Sequence, residues 1–170
     1  MAEKLETKHR SSAFSYNFPE VIRTPEEWIP ERKFVLVSSL DELESIFISH
    51  MGSPRVAIDT ETNGLNIMIR HVVCITFSFS KDTGYMIPLR FQDNLLRKVN
   101  NLPVDGVIDL MNQYLLDKKI VVFNRNFDMA LLMGEGMDWW RSWEDVQLRC
   151  YHYDPNTHTP SLKQFAAYVS

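Results

Sequence analysis

Residues 55–61 read Arg-Val-Ala-Ile-Asp-Thr-Glu, and the fold turns on this stretch. Its short apolar run has the length and composition of a buried strand. The run then ends abruptly in two acids. Residues i and i+2 of a strand project to the same side, so Asp59 and Glu61 aim two carboxylates at one point. Like charges held that close repel unless a cation lies between them. Mg²⁺ and Mn²⁺ favour such hard oxygen ligands. The triplet alone is a weak signal, because Asp-x-Glu also marks ordinary solvated strand ends.

Working outward, Phe34–Val37 reads as a strand. Ser39 then opens a helix, with Glu42 three residues on as in a capping box. Leu40, Leu43, Ile46 and Phe47 share one face of it. Past Asn63-Gly64, Val72–Phe79 is a second strand of the emerging sheet. Lys81–Gly84 reads as a turn, and Tyr85–Leu89 returns as a hairpin. The stripe Val107, Leu110, Met111, Tyr114 and Leu115 predicts a helix over 104–116. Ile120–Phe123 is a further strand, and Asn126–Met133 a helix. Trp139, Trp140 and Trp143 lead into a helix near Asp145–Tyr153, and another helix opens at Ser161. This order predicts an α/β architecture, a mixed sheet flanked by helices. Residues 1–33, with Pro19, Pro25 and Pro30, read as an N-terminal arm, and residues 34–170 as one domain.

A second group of residues bears on chemistry. Asn124-Arg125-Asn126-Phe127-Asp128 follows an apolar strand and opens a helix. Asn124 suits the corner as a cap or turn residue. An acid in a first helical turn is favoured by the helix dipole, which by itself accounts for Asp128. The dipole does not account for its place at the carboxyl end of a strand neighbouring the one that carries Asp59 and Glu61. Open α/β sheets put their sites at such ends.

Together these residues resemble the DEDD superfamily of 3′–5′ exonucleases, specifically the proofreading domain of bacterial and phage family A DNA polymerases. VAIDTETNGL matches the family's first motif and NRNFD its second. CITFSFSKDTGYMIPL resembles its intervening strands, and WEDVQLRCYHYDPN with SLKQFA resembles the later helix and loop. The likeness runs from about Phe34 to Phe165. It implies a ribonuclease H-like fold and hydrolysis with two Mg²⁺ or Mn²⁺ ions. Asp59, Glu61 and Asp128 would be the catalytic metal ligands. Leu65 would wedge against the terminal base. Asn124 and the backbone around Thr60 would hold the 3′ nucleotide, with Phe127 at the family's aromatic position. The implied partners are the 3′ end of single-stranded DNA and a polymerase domain or separate polymerase chain. The implied location is the cytoplasm of a bacterial or phage-infected cell. The family's third motif, a Tyr or His with an Asp one helical turn later, has no counterpart. Tyr168 has no room for the Asp, and Tyr151 meets Pro155 at that spacing. Weak or absent activity is therefore expected of the isolated chain. An RNA-trimming relative and a non-catalytic nuclease-fold module are the alternatives.

Composition agrees with a globular domain. The 170 residues suffice for one sizeable core. A net charge of −4 argues against a broad basic face for nucleic acid. A metal-dependent nuclease is compatible with it, since bound cations supply the positive charge that meets phosphate. No apolar run approaches membrane-spanning length, and the N-terminus lacks a secretory pattern. Cys74 and Cys150 are expected as reduced, buried thiols. His152 and His158 read as surface or turn histidines. The tryptophans could anchor loops, stack on bases or face a polymerase. Lys118-Lys119 reads as a solvated basic pair.

Overall fold

Ser39 starts the first helix as its sequence position predicts. Its backbone is extended, and its Oγ accepts the Glu42 N–H at 3.1 Å. The reciprocal half of the capping box differs. Glu42 Oε2 accepts from the Ser38 N–H at 2.8 Å and from Ser38 Oγ at 2.7 Å, not from the N–H of Ser39. These bonds hold the Glu42 carboxyl below the usual carboxylate range. Ser39→Ala should cost about 1 kcal/mol, read as a lower denaturant midpoint. An unchanged midpoint would mean that Ser38 caps the helix by itself.

The computed structural model describes residues 32–64, 71–91, 100–138, 142–153 and 162. The order is β1 (Lys33–Leu36), α1 (Leu40–Ser49), β2 (Arg55–Thr62), β3 (Val72–Ser78) and β4 (Thr83–Pro88). There follow α2 (Val104–Leu115), β5 (Lys119–Val122), α3 (Arg125–Gly134), β6 (Trp143–Asp145) and α4 (Val146–Tyr153). Six strands form one sheet in the order β1-β4-β3-β2-β5-β6. The meander β2–β3–β4 is antiparallel, while β1–β4, β2–β5 and β5–β6 pair in parallel. The sheet is mixed, as the sequence predicts.

Three local expectations are corrected. Thr83 and Gly84 belong to β4 rather than to a turn, because they pair with Lys33 and Phe34. That pairing also draws Lys33 out of the expected arm, whose residues 1–31 lie outside the described residues. Trp143–Asp145 is a strand held by Ile120–Val122, so the following helix begins at Val146.

Strand β2 alternates. Val56, Ile58 and Thr60 are buried, while Arg55, Ala57, Asp59 and Glu61 are exposed. The buried side packs in one core with Leu43 and Phe47 of α1, Val107 and Met111 of α2, and Leu131 and Leu132 of α3. The other side borders an apolar groove of about 660 Å³ that includes Ala57, Asp59, Met86, Val121 and Phe123. Lys118 is no solvated side chain, being 5% exposed. Its Nζ donates to the carbonyls of His50 at 2.9 Å, Met51 at 3.0 Å and Ser53 at 2.7 Å. Helix α1 has no basic residue in its last turn, so Lys118 caps its exit from across the fold. Cys74 and Cys150 are buried free thiols, as expected.

Candidate metal centre

The parallel pairing of β2 with β5 builds the site. Ala57 lies level with Val121, so both strands finish on the same side of the molecule. Strand β2 then delivers Asp59 and Glu61, and β5 turns at Asn124 into α3, which carries Asp128 in its first turn.

Asp59 and Glu61 share the exposed side of β2, as strand alternation predicts. Their partners across β3 are Thr76 and Cys74. Burial, and then the charge of Glu61, raise the Asp59 pKa. Burial, with the charges of Glu61 and Asp59, also raises the Cys74 thiol. One negative region therefore spans the end of β2.

Asp128 approaches from the helix-covered side. It is 2% exposed. Its Oδ1 accepts a hydrogen bond from Thr60 Oγ1 at 2.6 Å. Thr60 points opposite to its two acidic neighbours, so Asp128 and the Asp59–Glu61 pair flank the strand end. Burial first, and the charge of Asp59 second, push the Asp128 pKa from 3.8 to about 6, against the opposing pull of the Thr60 bond. The expectation that three acids meet at one point thus holds only in part. Asp59 and Glu61 point together, and Asp128 feels the field of Asp59 while it is bonded to Thr60. Among the described residues no group of three His, Cys, Asp or Glu side chains is arranged to hold a metal.

The donor chemistry still fits a hard divalent cation. All three candidates are carboxylates, and two of them are raised both by burial and by another's charge. Bringing positive charge to the end of β2 would relieve that repulsion.

The remaining candidates divide. Asn124 occupies the corner with a left-handed backbone (φ 68°, ψ 65°), and its side chain makes no capping hydrogen bond. The role expected of that side chain as a cap falls instead to Asp145, whose Oδ2 accepts the Arg125 N–H at 2.9 Å. Phe127 is partly buried against the core. The hydroxyl of Thr60 is engaged with Asp128. Leu65, His158, Trp139 and Trp140 lie outside the described residues. His152 is exposed.

Two contacts around the site were not foreseen in the sequence. Asp145 is one; its place just before Val146-Gln147-Leu148 marks it as a helix cap, but not as a partner of α3. Glu135 is the other. Arg90 grips it at 2.8 and 2.9 Å, and it accepts the Val72 N–H at 3.2 Å, which fastens the far end of α3 to the sheet.

Comparison with known proteins agrees with this architecture. DNA polymerase I of Borreliella burgdorferi is 24% identical over 125 residues, which are 74% of this chain and 13% of that polymerase. The chain therefore spans only a small part of that relative. The RNase domain of the yeast Pop2 protein superposes with a TM-score of 0.63 at 13% identity, covering 87% of this chain and 79% of that one. NrnC of Brucella melitensis gives 0.54 at 17% identity, over 83% of this chain and 61% of that one. A second NrnC structure carries bound Mg²⁺. These likenesses establish the ribonuclease H-like fold. The family model described as 3′–5′ exonuclease, of the DNA polymerase A group, matches residues 34–170. With its sheet and that match in agreement, the chain belongs to the 3′–5′ exonuclease family, whose chemistry uses divalent metal ions.

Proposed function

We propose that this domain removes nucleotides from the 3′ end of single-stranded DNA, with Asp59, Glu61 and Asp128 holding two Mg²⁺ or Mn²⁺ ions. One observation carries the reading. In a chain of this family, Asp59 and Glu61 share one side of the end of β2, and Asp128 is hydrogen-bonded to Thr60 between them. When bound, the cations would sharpen a water as nucleophile and offset the charge that builds on phosphorus. The water oxygen forms a bond to the terminal phosphorus, and the bond to the preceding 3′ oxygen breaks. The charge of Glu61 acts on Asp59 and that of Asp59 on Asp128, so all three carboxylates would be relieved by bound cations. Thr60 orients Asp128 through its hydroxyl. Asn124, exposed and not engaged as a cap, would meet the terminal nucleotide, and Leu65 is proposed as the wedge. The reading also implies a polymerase domain or chain as partner, in the cytoplasm of a bacterial or phage-infected cell.

A second reading is RNA trimming, favoured by the likeness to the Pop2 RNase domain. One experiment addresses both. A 5′-labelled single-stranded DNA and the RNA of the same sequence are incubated with the chain and Mn²⁺, and Mn²⁺ binding is followed by calorimetry. The proposal expects binding and, since the third-motif acid has no counterpart, only slow single-nucleotide shortening of the DNA, both lost in Asp59→Ala. Faster shortening of the RNA would move the substrate class. Wild-type binding that survives in Asp59→Ala would remove the site.

A further inference from the structure

We infer that Asp145 is a positioning residue that sets α3, and with it Asp128 and Asn124, against the end of β2. The inference rests on the nuclease reading for its consequence, but not for its geometry.

Asp145 is the last residue of β6 and lies level with Val122 of β5. Its Oδ1 accepts the N–H groups of Gln147 at 2.8 Å and Leu148 at 3.4 Å, which caps its own helix α4. The same carboxylate reaches across to α3. Oδ1 accepts the Asn124 N–H at 3.3 Å, and Oδ2 the Arg125 N–H at 2.9 Å. One carboxylate thereby serves the first N–H groups of two helices, where helix dipoles favour negative charge. The corner it fastens is strained. Asn124 is the sole non-glycine residue with positive φ among those described. Such a conformation persists only where its surroundings impose it. Asp128 follows one turn later, so the tilt of α3 at this corner decides how Asp128 faces Asp59. Because Asp145 does the capping, the amide of Asn124 stays available.

The test uses the whole chain and separates positioning from stability. Serine is as good a helix cap as aspartate, but its single short oxygen cannot serve two helices. Asp145→Ser should keep α4 capped and release α3. The amide hydrogens of Asn124 and Arg125 should then exchange about tenfold faster, the equivalent of one lost hydrogen bond. Mn²⁺ affinity should fall about tenfold, the low end for residues that orient ligands. Ser39→Ala, which weakens the remote α1 cap, should leave both unchanged. Wild-type exchange at Asn124 and Arg125 in Asp145→Ser overturns the inference, as does an equal loss of affinity in Ser39→Ala. If the wild-type chain binds no Mn²⁺, the metal reading fails separately, and amide exchange alone decides the role of Asp145.

Discussion

Asp128→Asn is expected to stabilise the fold near pH 8 and, in the same molecule, to abolish metal-dependent hydrolysis. The carboxyl is 2% exposed, and its pKa is raised from 3.8 to about 6. The folded state therefore holds this proton more tightly than the unfolded chain. Its contribution to stability is fully present below the unfolded value and is lost as pH rises through about 6. Above that, the fold carries a buried anion at a cost of about 3 kcal/mol. Asparagine removes the charge and keeps a carbonyl oxygen for the Thr60 hydroxyl. Denaturation at pH 8 should show a gain of about 2–3 kcal/mol that vanishes near pH 3.5. Hydrolysis should fall about a thousandfold, the scale of losing one stabilising group at a reacting centre. Mn²⁺ should raise the unfolding temperature of the wild type and not that of the variant. A gain of the same size at both pH values would refute the electrostatic account.

Lys118→Met should destabilise the fold strongly, because this lysine is buried and serves three carbonyls. Methionine keeps an apolar stem against Phe79, over whose ring the ammonium sits at 5.7 Å. It leaves the carbonyls of His50, Met51 and Ser53 without their donor. Burial lowers the Lys118 pKa, while three carbonyl acceptors favour the charged form. Losing bonds to a buried ammonium should cost about 3 kcal/mol. In a domain of this size that is about 6–12 °C in melting temperature. A shift under about 1 °C would show that water replaces the ammonium without penalty.

The two segments with regular patterns were readable from sequence. Strand alternation placed Asp59 and Glu61 on one side, and the first-turn position placed Asp128 at the same end of the sheet. The link between the segments was not readable, because Thr60 lies between two acids and points the other way. Alternation also predicts that direction, but only the packed helix shows what it meets. Strand β6 was missed for a related reason. Trp-Glu-Asp has no pattern of its own, and its pairing comes from β5. Lys118 looked solvated because the carbonyls it serves lie more than sixty residues earlier in the chain.

The strand order has a kinetic consequence. The β2–β3–β4 meander joins near neighbours in sequence, whereas β2 and β5 must close a long loop before they pair. Long closures of this kind come late in folding. On that order Asp59 and Glu61 are expected in place early and Asp128 late, which a φ-value near zero at Asp128 would show. The repulsion among the three acids consequently belongs to the escape from the native state, so neutralising Asp128 slows unfolding more than it speeds folding.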